Sequence, residues 1–362
     1  MFSLSSLSNV FSSILYIVIA ILILLTMVLI HELGHYIAGR ILKFKINEFA
    51  IGFGKTLFQR TNKRGEKISL RLFPLGGFCA FEGEGDGESD EIKPESFNSH
   101  KPWKRIIVYM AGPLFNILSA VLFSFVLLMG VGYDIPQIAG VDKYYANSEV
   151  FEVGDVIYEV NGTKINFANG NTFTALISQY TAEDDIEMTV KRDGNIITLN
   201  VKLQQAFDKD NNLVFTEDGK PVYKLGIQTI AYKHTFGEAL VRAVPFTLGL
   251  SWIVLKGLVM ALTFQLPAGS MSGPIGAIGI MSSQIQQSFS SILVLLPLIA
   301  VNLGVFNLLP IPALDGSHIV FNIIEWIRKK PINRDVEAYI HFFGFIALIA
   351  LIIFMDVMQL FV

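Results

Sequence analysis

From Ser13 to Ile30 the chain reads SILYIVIAILILLTMVLI, a run without a single charge. Roughly 18 such residues are enough for a helix that crosses a bilayer, where a chain can satisfy its own backbone groups only as a helix or a closed barrel. The run ends in His31-Glu32-Leu33-Gly34-His35. On a helix, positions i and i+4 share a face, so the two imidazoles can hold one zinc ion. The glutamate between them can hold a water for attack on a carbonyl. Ionisable groups at membrane depth are expensive and usually functional, which favours that reading. The plainer alternative is a chance pentapeptide whose histidines cap helix carbonyls.

Hydrophobic residues make up 52% of the 362 positions and charged residues only 16%, which points to a multi-span membrane protein. A net charge of −3 gives no ground for a nucleic-acid partner. The single cysteine, Cys79, excludes an intramolecular disulfide framework and a Cys-rich metal site. No basic stretch precedes the first apolar run and no small-residue cleavage site follows it, so the run reads as an uncleaved span.

Nine lysines and arginines between Arg40 and Arg71 follow this span and mark the cytoplasmic side, leaving the N-terminus outside. Within that region NEFAIGFGKTLFQR and EKISLRLFPLGGFCAF read as two strands joined by a turn at 61–65. Glycines beside Phe53 and after Pro74-Leu75 allow bulges. Such a hairpin can dip towards the metal and offer an open edge to an extended peptide; an ordinary interfacial hairpin fits the same residues. Glu82 to Glu95 is acidic and Gly-rich, a mobile linker. The second span, about 106–131, contains Gly112-Pro113 and Asn116, whose amide either packs against a neighbouring helix or orients the catalytic one.

From 132 to 235 the chain is soluble in character and lies outside by parity. VGDVIYEVNGTKI gives two strands around an Asn-Gly turn, FTALISQY a helix, and IEMTVKR and NIITLNVKL two strands joined at Asp193-Gly194. This resembles a PDZ domain, which captures extended peptides at a strand edge or acts here as a gate. Its leading loop, YYANSEVFEVGD, departs from the compact Gly-rich turn of that domain and leaves carboxylate binding open. Residues 205–223 form a polar, hairpin-like insertion.

Phe236 to Leu266 is apolar but carries Arg242, Pro245 and Lys256. If it crossed the membrane, the basic residues Arg328 to Arg334 would lie outside, so it reads as an interfacial or re-entrant segment. The third span, about 291–309, ends in NLLPIPALDGSH, where two prolines break the helix and deliver Asp315. Two histidines and a carboxylate, with a fourth position left to water, make a catalytic zinc arrangement. Alone, Asp315 would be a helix cap. His318 is either a further ligand or a polar group satisfied at the boundary. Asn302 and Asn307 either hold substrate backbone or pack between helices. A last span follows at about 339–361.

Together these motifs resemble the site-2 protease family of intramembrane zinc metalloproteases, in its bacterial form with a PDZ domain. HELGH, IGFGK, PLGGF, AGPLFN, SGPI and NLLPIPALDG occur in the family's order. The resemblance implies Zn2+ on His31, His35 and Asp315, with Glu32 as general base. It also implies substrate contacts at Gly52, Phe53 and Gly54 on the hairpin edge and at Asn302 and Asn307. Two departures are a single PDZ domain where larger members have two, and Gly316-Ser317 in place of Gly-Gly.

The expected fold is thus a multi-span α-helical membrane protein with four transmembrane helices, a membrane-associated β-hairpin region and one extracytoplasmic PDZ domain of α+β type. Its divisions are a first span over 1–40, the hairpin and linker over 41–104, and a second span over 105–131. The PDZ domain occupies 132–235, the interfacial segment 236–290, and the third span with its LDG motif 291–317. A cytoplasmic loop over 318–338 and a fourth span over 339–362 complete it. The implied partners are transmembrane protein substrates, an extended peptide at the PDZ domain and the lipid bilayer. The implied location is the bacterial cytoplasmic membrane, with both termini outside and the active site on the cytoplasmic side. A catalytically inactive PDZ-bearing scaffold would lack Glu32 or a ligand, and a metal transporter would spread polar residues along several spans.

Overall fold

The computed structural model describes residues 4–84, 94–167, 170–207, 212–216, 218–219, 221–263, 265 and 272–358. It divides into two compact units, Met1–Phe123 with Ile253–Val362, and Ser124–Trp252.

The first unit begins with α1, Leu4–Ile41, which carries the apolar run and the HELGH pentapeptide on one unbroken helix. The chain leaves it through Lys43, a left-handed residue at φ 65°, and enters a long antiparallel hairpin of β1, Ile46–Thr61, and β2, Lys67–Phe81. The two strands fold back on each other: residues 46–51 pair with 77–81 on one side, and residues 48–51 also pair with 67–70 on the other, so that Ile51 faces both Gly77 and Leu70. Thr56 to Thr61 pair with Arg71 to Lys67, and bulges recur along the register. Gly52 and Gly54 adopt φ 84° and 83°; a Cβ on Gly52 would fall 2.6 Å from the Phe73 carbonyl oxygen, so the bulge there needs glycine. Residues 85–93, most of the expected mobile linker, lie outside the described residues. Glu84, at its start, accepts a hydrogen bond from the Tyr109 hydroxyl at 3.0 Å.

Helix α2, Pro102–Gly130, meets α1 backbone to backbone: a Cβ on Gly34 would stand 2.3 Å from the Ala111 carbonyl oxygen. Phe44, Ile46, Phe81, Phe97, Val108 and Tyr109 form the buried cluster that fastens the hairpin to these helices. The second unit contains β3 (Pro136–Val141), β4 (Val156–Val160), β5 (Thr163–Lys164), α3 (Phe173–Ile177), β6 (Ile186–Arg192) and β7 (Asn195–Val201). After them come β8 (Gln204–Gln205), β9 (Tyr223–Lys224) and β10 (Ile227–Ala231). The main sheet runs β10-β3-β4-β6-β7, with β5 paired to β4. Asn161-Gly162 and Asp193-Gly194, all at positive φ, make the two tight turns expected of them. The sheet closes with α3 over Ile138, Ile157, Val160, Leu176, Ile186, Met188 and Val190, the α+β make-up of a PDZ domain. The leading loop is packed: buried Asn147 donates to the carbonyls of Lys202 and Leu225, and Arg192 grips the buried Asp155 with two hydrogen bonds. In the insertion, β8 pairs with β9 and bridges join Phe207 to Leu213 and Phe215 to Pro221.

The remaining helices are α4 (Phe236–Leu262), α5 (Pro274–Gln287), α6 (Ser291–Leu308), α7 (Asp315–Arg328) and α8 (Arg334–Met358). Two expectations change here. The expected loop over 318–338 shrinks to 329–333: Ile319, Ile323 and Ile327, with Val320 and Ile324, recur at helical spacing and form α7, which ends at the left-handed Lys329. Residues 236–290 are two helices instead of one re-entrant segment. By length and composition five helices among the described residues can cross a membrane, against four expected, and the additional one is α4. The charge counted against it at Arg242 is paired with Asp134 at 2.7 Å.

Candidate metal centre

The C-terminal end of α1 places His31 and His35 one turn apart, and both are nearly buried, at 8% and 7% exposure. The third group arrives from far along the chain. Helix α6 stops at Leu308, and Leu309 to Leu314 form a turn that begins α7 at Asp315. Gly316 permits it, since a Cβ there would stand 2.1 Å from the Leu309 carbonyl oxygen. Ser317, where the family customarily has glycine, turns its hydroxyl back to the Leu314 carbonyl at 2.7 Å. The result brings three donor atoms together. Asp315 Oδ2 lies 2.9 Å from His31 Nε2 and 3.3 Å from His35 Nε2, and the two nitrogens are 3.2 Å apart.

These residues fit a zinc ion. Donors about 2.0–2.2 Å from a metal at tetrahedral angles lie roughly 3.3 Å from one another, close to the three separations observed. His35 Nδ1 faces the Val108 carbonyl oxygen at 2.8 Å. A carbonyl can only accept, so the ring proton sits on Nδ1 and the lone pair of Nε2 points into the cluster. Asp315 Oδ2 is buried and accepts no hydrogen bond, although both nitrogens face it. Three lone pairs converging without a proton between them call for a cation. The space is also reserved: a Cβ on Gly112 would fall 2.4 Å from His35 Nε2.

Asn116, fully buried, stands 3.3 Å from His31 Nδ1. As placed, its amide nitrogen faces the ring and its oxygen has no partner. Turning the amide over lets the oxygen accept from His31 Nδ1–H and frees Nε2 for a metal, as at His35. Asn116 thus both packs in the core and touches the ring of His31, and its role in holding that ring is tested below.

Glu32 accepts a hydrogen bond from the Cys79 backbone on β2, and a Cβ on Gly77 would lie 3.5 Å from its Cγ. Gly77 pairs with Ile51, so the hairpin passes beside the glutamate one residue from Gly52-Phe53-Gly54. Phe53 is 47% exposed and lies over Gly76. Asn302 is exposed on α6, and Asn307 donates to the Leu303 carbonyl in its own helix; neither joins the donor cluster. His318 stands apart from it too, stacked on Tyr109 with its Nδ1 3.4 Å from Glu337. Burial raises the Glu84 carboxyl above the usual range, outweighing the Tyr109 hydrogen bond.

The fold and this cluster define a class: an integral membrane protein with a metallopeptidase-type site, HExxH on one helix and a carboxylate from another. Residues 19–351 match peptidase family M50. A Campylobacter jejuni protein that carries a zinc-metalloprotease name is 31% identical over 341 residues, covering 92% of this chain and 90% of that one. A Fusobacterium nucleatum protein so named is 30% identical, covering 94% and 96%. One from Helicobacter pylori is 30% identical, covering 88% and 92%. The PDZ domain of an SdrC-like protein from Listeria monocytogenes overlaps 27% of the chain and 90% of that structure at 23% identity; its TM-score of 0.21 adds nothing to the strand order above. The chain belongs to peptidase family M50, the site-2 class of zinc metalloproteases.

Proposed function

We propose that the chain hydrolyses peptide bonds of single-span membrane proteins, such as anti-sigma factors or signal-peptide remnants, within a bacterial cytoplasmic membrane. The observation that carries this is the convergence of His31, His35 and Asp315 within 3.3 Å at the end of a membrane-length helix. In this reading those three side chains hold zinc. Bound there, zinc would polarise the scissile carbonyl and lower the pKa of a water toward ~7. Glu32 holds the attacking water, takes its proton as the carbon–oxygen bond forms, and passes it to the nitrogen as the carbon–nitrogen bond breaks. A substrate helix has its carbonyls bonded internally and must unwind first. Residues 48–51 of β1 are paired on both sides, so strand addition by the unwound segment falls to the β2 stretch around Gly77, which lies beside Glu32. Gly52, Phe53 and Gly54 meet that segment at the adjoining bulge, where Phe53 is half exposed. Asn302 and Asn307 contact the substrate further along α6. The PDZ domain controls access from outside, by binding an extended peptide or by standing over the entrance.

Four crossings agree with the site better than five. Helices α1 and α6 both end at the donor cluster, so they run through the bilayer in the same direction. An odd number of crossings must separate them. Helix α2 supplies one, and α4 as a lone second crossing would put Asp315 on the wrong side. Helix α4 then lies in the interface or is returned by α5, the active site faces the cytoplasm, and both termini and the PDZ domain face outward.

The test is cleavage of a single-span model substrate by the full-length protein in detergent, wild type beside Glu32→Gln, with zinc measured in both. Cleavage by wild type alone, with zinc in both, is the expected result. Equal cleavage by both would sink the mechanism. Zinc in neither would favour the inactive scaffold.

A further inference from the structure

Among the described residues one other group of histidines and acids converges: His318, Glu337 and His341. It does not suit a metal. The two imidazoles are stacked at 3.9 Å with planes 12° apart, so their in-plane lone pairs run side by side instead of meeting. His341 Nδ1 is already engaged, accepting the backbone N–H of Ala313 at 3.1 Å.

That hydrogen bond reaches the turn between α6 and α7. Ala313 stands two residues before Asp315 at φ 74°, a left-handed conformation that a residue with a Cβ adopts only at a penalty. The next turn of α8 presses on the same place, since a Cβ on Gly344 would fall 2.2 Å from the Pro312 Cβ. His341 is itself held in line. It stacks on His318, and His318 stacks on Tyr109 at 4.7 Å and 8°. The Tyr109 hydroxyl is anchored to Glu84.

We propose that His341 is a positioning residue of the metal centre. By accepting the Ala313 N–H, it fixes the strained turn that sets Asp315 against His31 and His35. The inference rests on Asp315 being a ligand, and it makes α8, which contributes no donor to the cluster, a determinant of zinc affinity.

The test uses the full-length protein in detergent, with zinc affinity from competition against a chromophoric chelator and kcat/KM on a single-span substrate. His341→Leu removes the acceptor, and the zinc Kd should rise about tenfold, the factor that corresponds to releasing one left-handed residue. His341→Asn places an oxygen where Nδ1 stood and should restore affinity and rate. His341→Gln is as polar but carries its acceptor one bond further out, so it should behave like the leucine variant. Ala313→Gly added to His341→Leu should also restore affinity, because glycine takes this φ without help. Wild-type affinity in both the leucine and glutamine variants would overturn the proposal. So would a loss that neither His341→Asn nor Ala313→Gly repairs, since that is the behaviour of simple packing. Asp315→Ala is run in parallel: wild-type zinc affinity there overturns the ligand assignment, whereas lost zinc there beside an unaffected His341→Leu overturns only the role of His341.

Discussion

Gly112→Ala adds one methyl group, and the structure says where it goes. The new carbon would stand 2.4 Å from His35 Nε2, 2.6 Å from His35 Cε1 and 2.9 Å from His31 Cε1. Non-bonded carbon and nitrogen settle near 3.5 Å, so about 1 Å of clearance must be found. Neither helix can retreat freely. Gly34 and Ala111 already touch backbone to backbone, and the outer nitrogens of the two rings are tied to Val108 and Asn116 on α2 itself. The displacement therefore falls on the imidazoles. Metal sites tolerate departures of about 0.2 Å in donor distance, and a misplacement of about 1 Å costs on the order of 10²-fold in rate. Purified Gly112→Ala should hold clearly less than one zinc per chain by elemental analysis and cleave a model substrate at least ~10²-fold more slowly. It should still elute as a monodisperse species in detergent. Gly279→Ala is the matched control: it is helical, has nothing within 4 Å of the added carbon, and should leave zinc and rate unchanged. Full zinc and wild-type cleavage in Gly112→Ala would refute the assignment of this space to the metal.

Three further outcomes follow from named contacts. Asn116→Leu, which keeps the branched outline but not the amide that faces His31 Nδ1, should lower zinc affinity by roughly 10–100-fold in a chelator competition; unchanged affinity would mean that Asn116 only packs. Arg105 and Glu325 form a buried pair, each side chain 4% exposed. Arg105→Met should destabilise the protein by about 3 kcal/mol, the low end for a broken buried pair, because Arg334 at 2.8 Å still partners Glu325. Unfolding in mixed micelles by rising SDS measures it, and adding Glu325→Leu should recover most of the loss. In the second unit, burial pushes the Asp134 carboxyl up, but contacts from His234 and Arg242, both at 2.7 Å, outweigh it and hold it below the usual range. A depressed carboxyl contributes stability that is complete above its unfolded value near pH 4 and disappears as pH falls through the folded value. Asp134→Asn should therefore melt earlier than wild type at pH 6, with the difference shrinking towards pH 2.5; a gap independent of pH would exclude this origin.

The donor triad was legible in the sequence because its chemistry is carried by residue type and local spacing. His31 and His35 announce themselves as i and i+4 on a helix, and the broken helix before Asp315 marks a carboxylate that wants a cation. Both hairpin strands and both tight turns of the PDZ domain were legible for the same reason, since alternation and the Asn-Gly and Asp-Gly pairs act over a few residues. What was hidden is whatever depends on which helix lies beside which. The Val108 carbonyl and His341 have no local signature that ties them to the site, and Asn116 showed only an amide open to two readings. Gly112 stood out only as the residue before Pro113, and the packing of α1 on α2 reveals it as the floor beneath two imidazoles. Helix α7 had a signal in its isoleucine spacing, masked by the basic run at its end. Helix α4 was judged by its charges one at a time, and the partner of Arg242 lies more than 100 residues earlier, at Asp134.

The two imidazoles and the carboxylate are separated by about 280 residues of chain, and this sets a timetable. Synthesis proceeds at roughly 5–20 residues per second, so α1 and α2, complete at Gly130, are made about 9–37 s before Asp315 exists. During that interval the HExxH helix has two donors and no third, in a membrane crowded with other emerging segments. On the proposed ligand set, a nascent copy lacks its third donor throughout that interval. The full set exists only when the last third of the chain has been laid against the first.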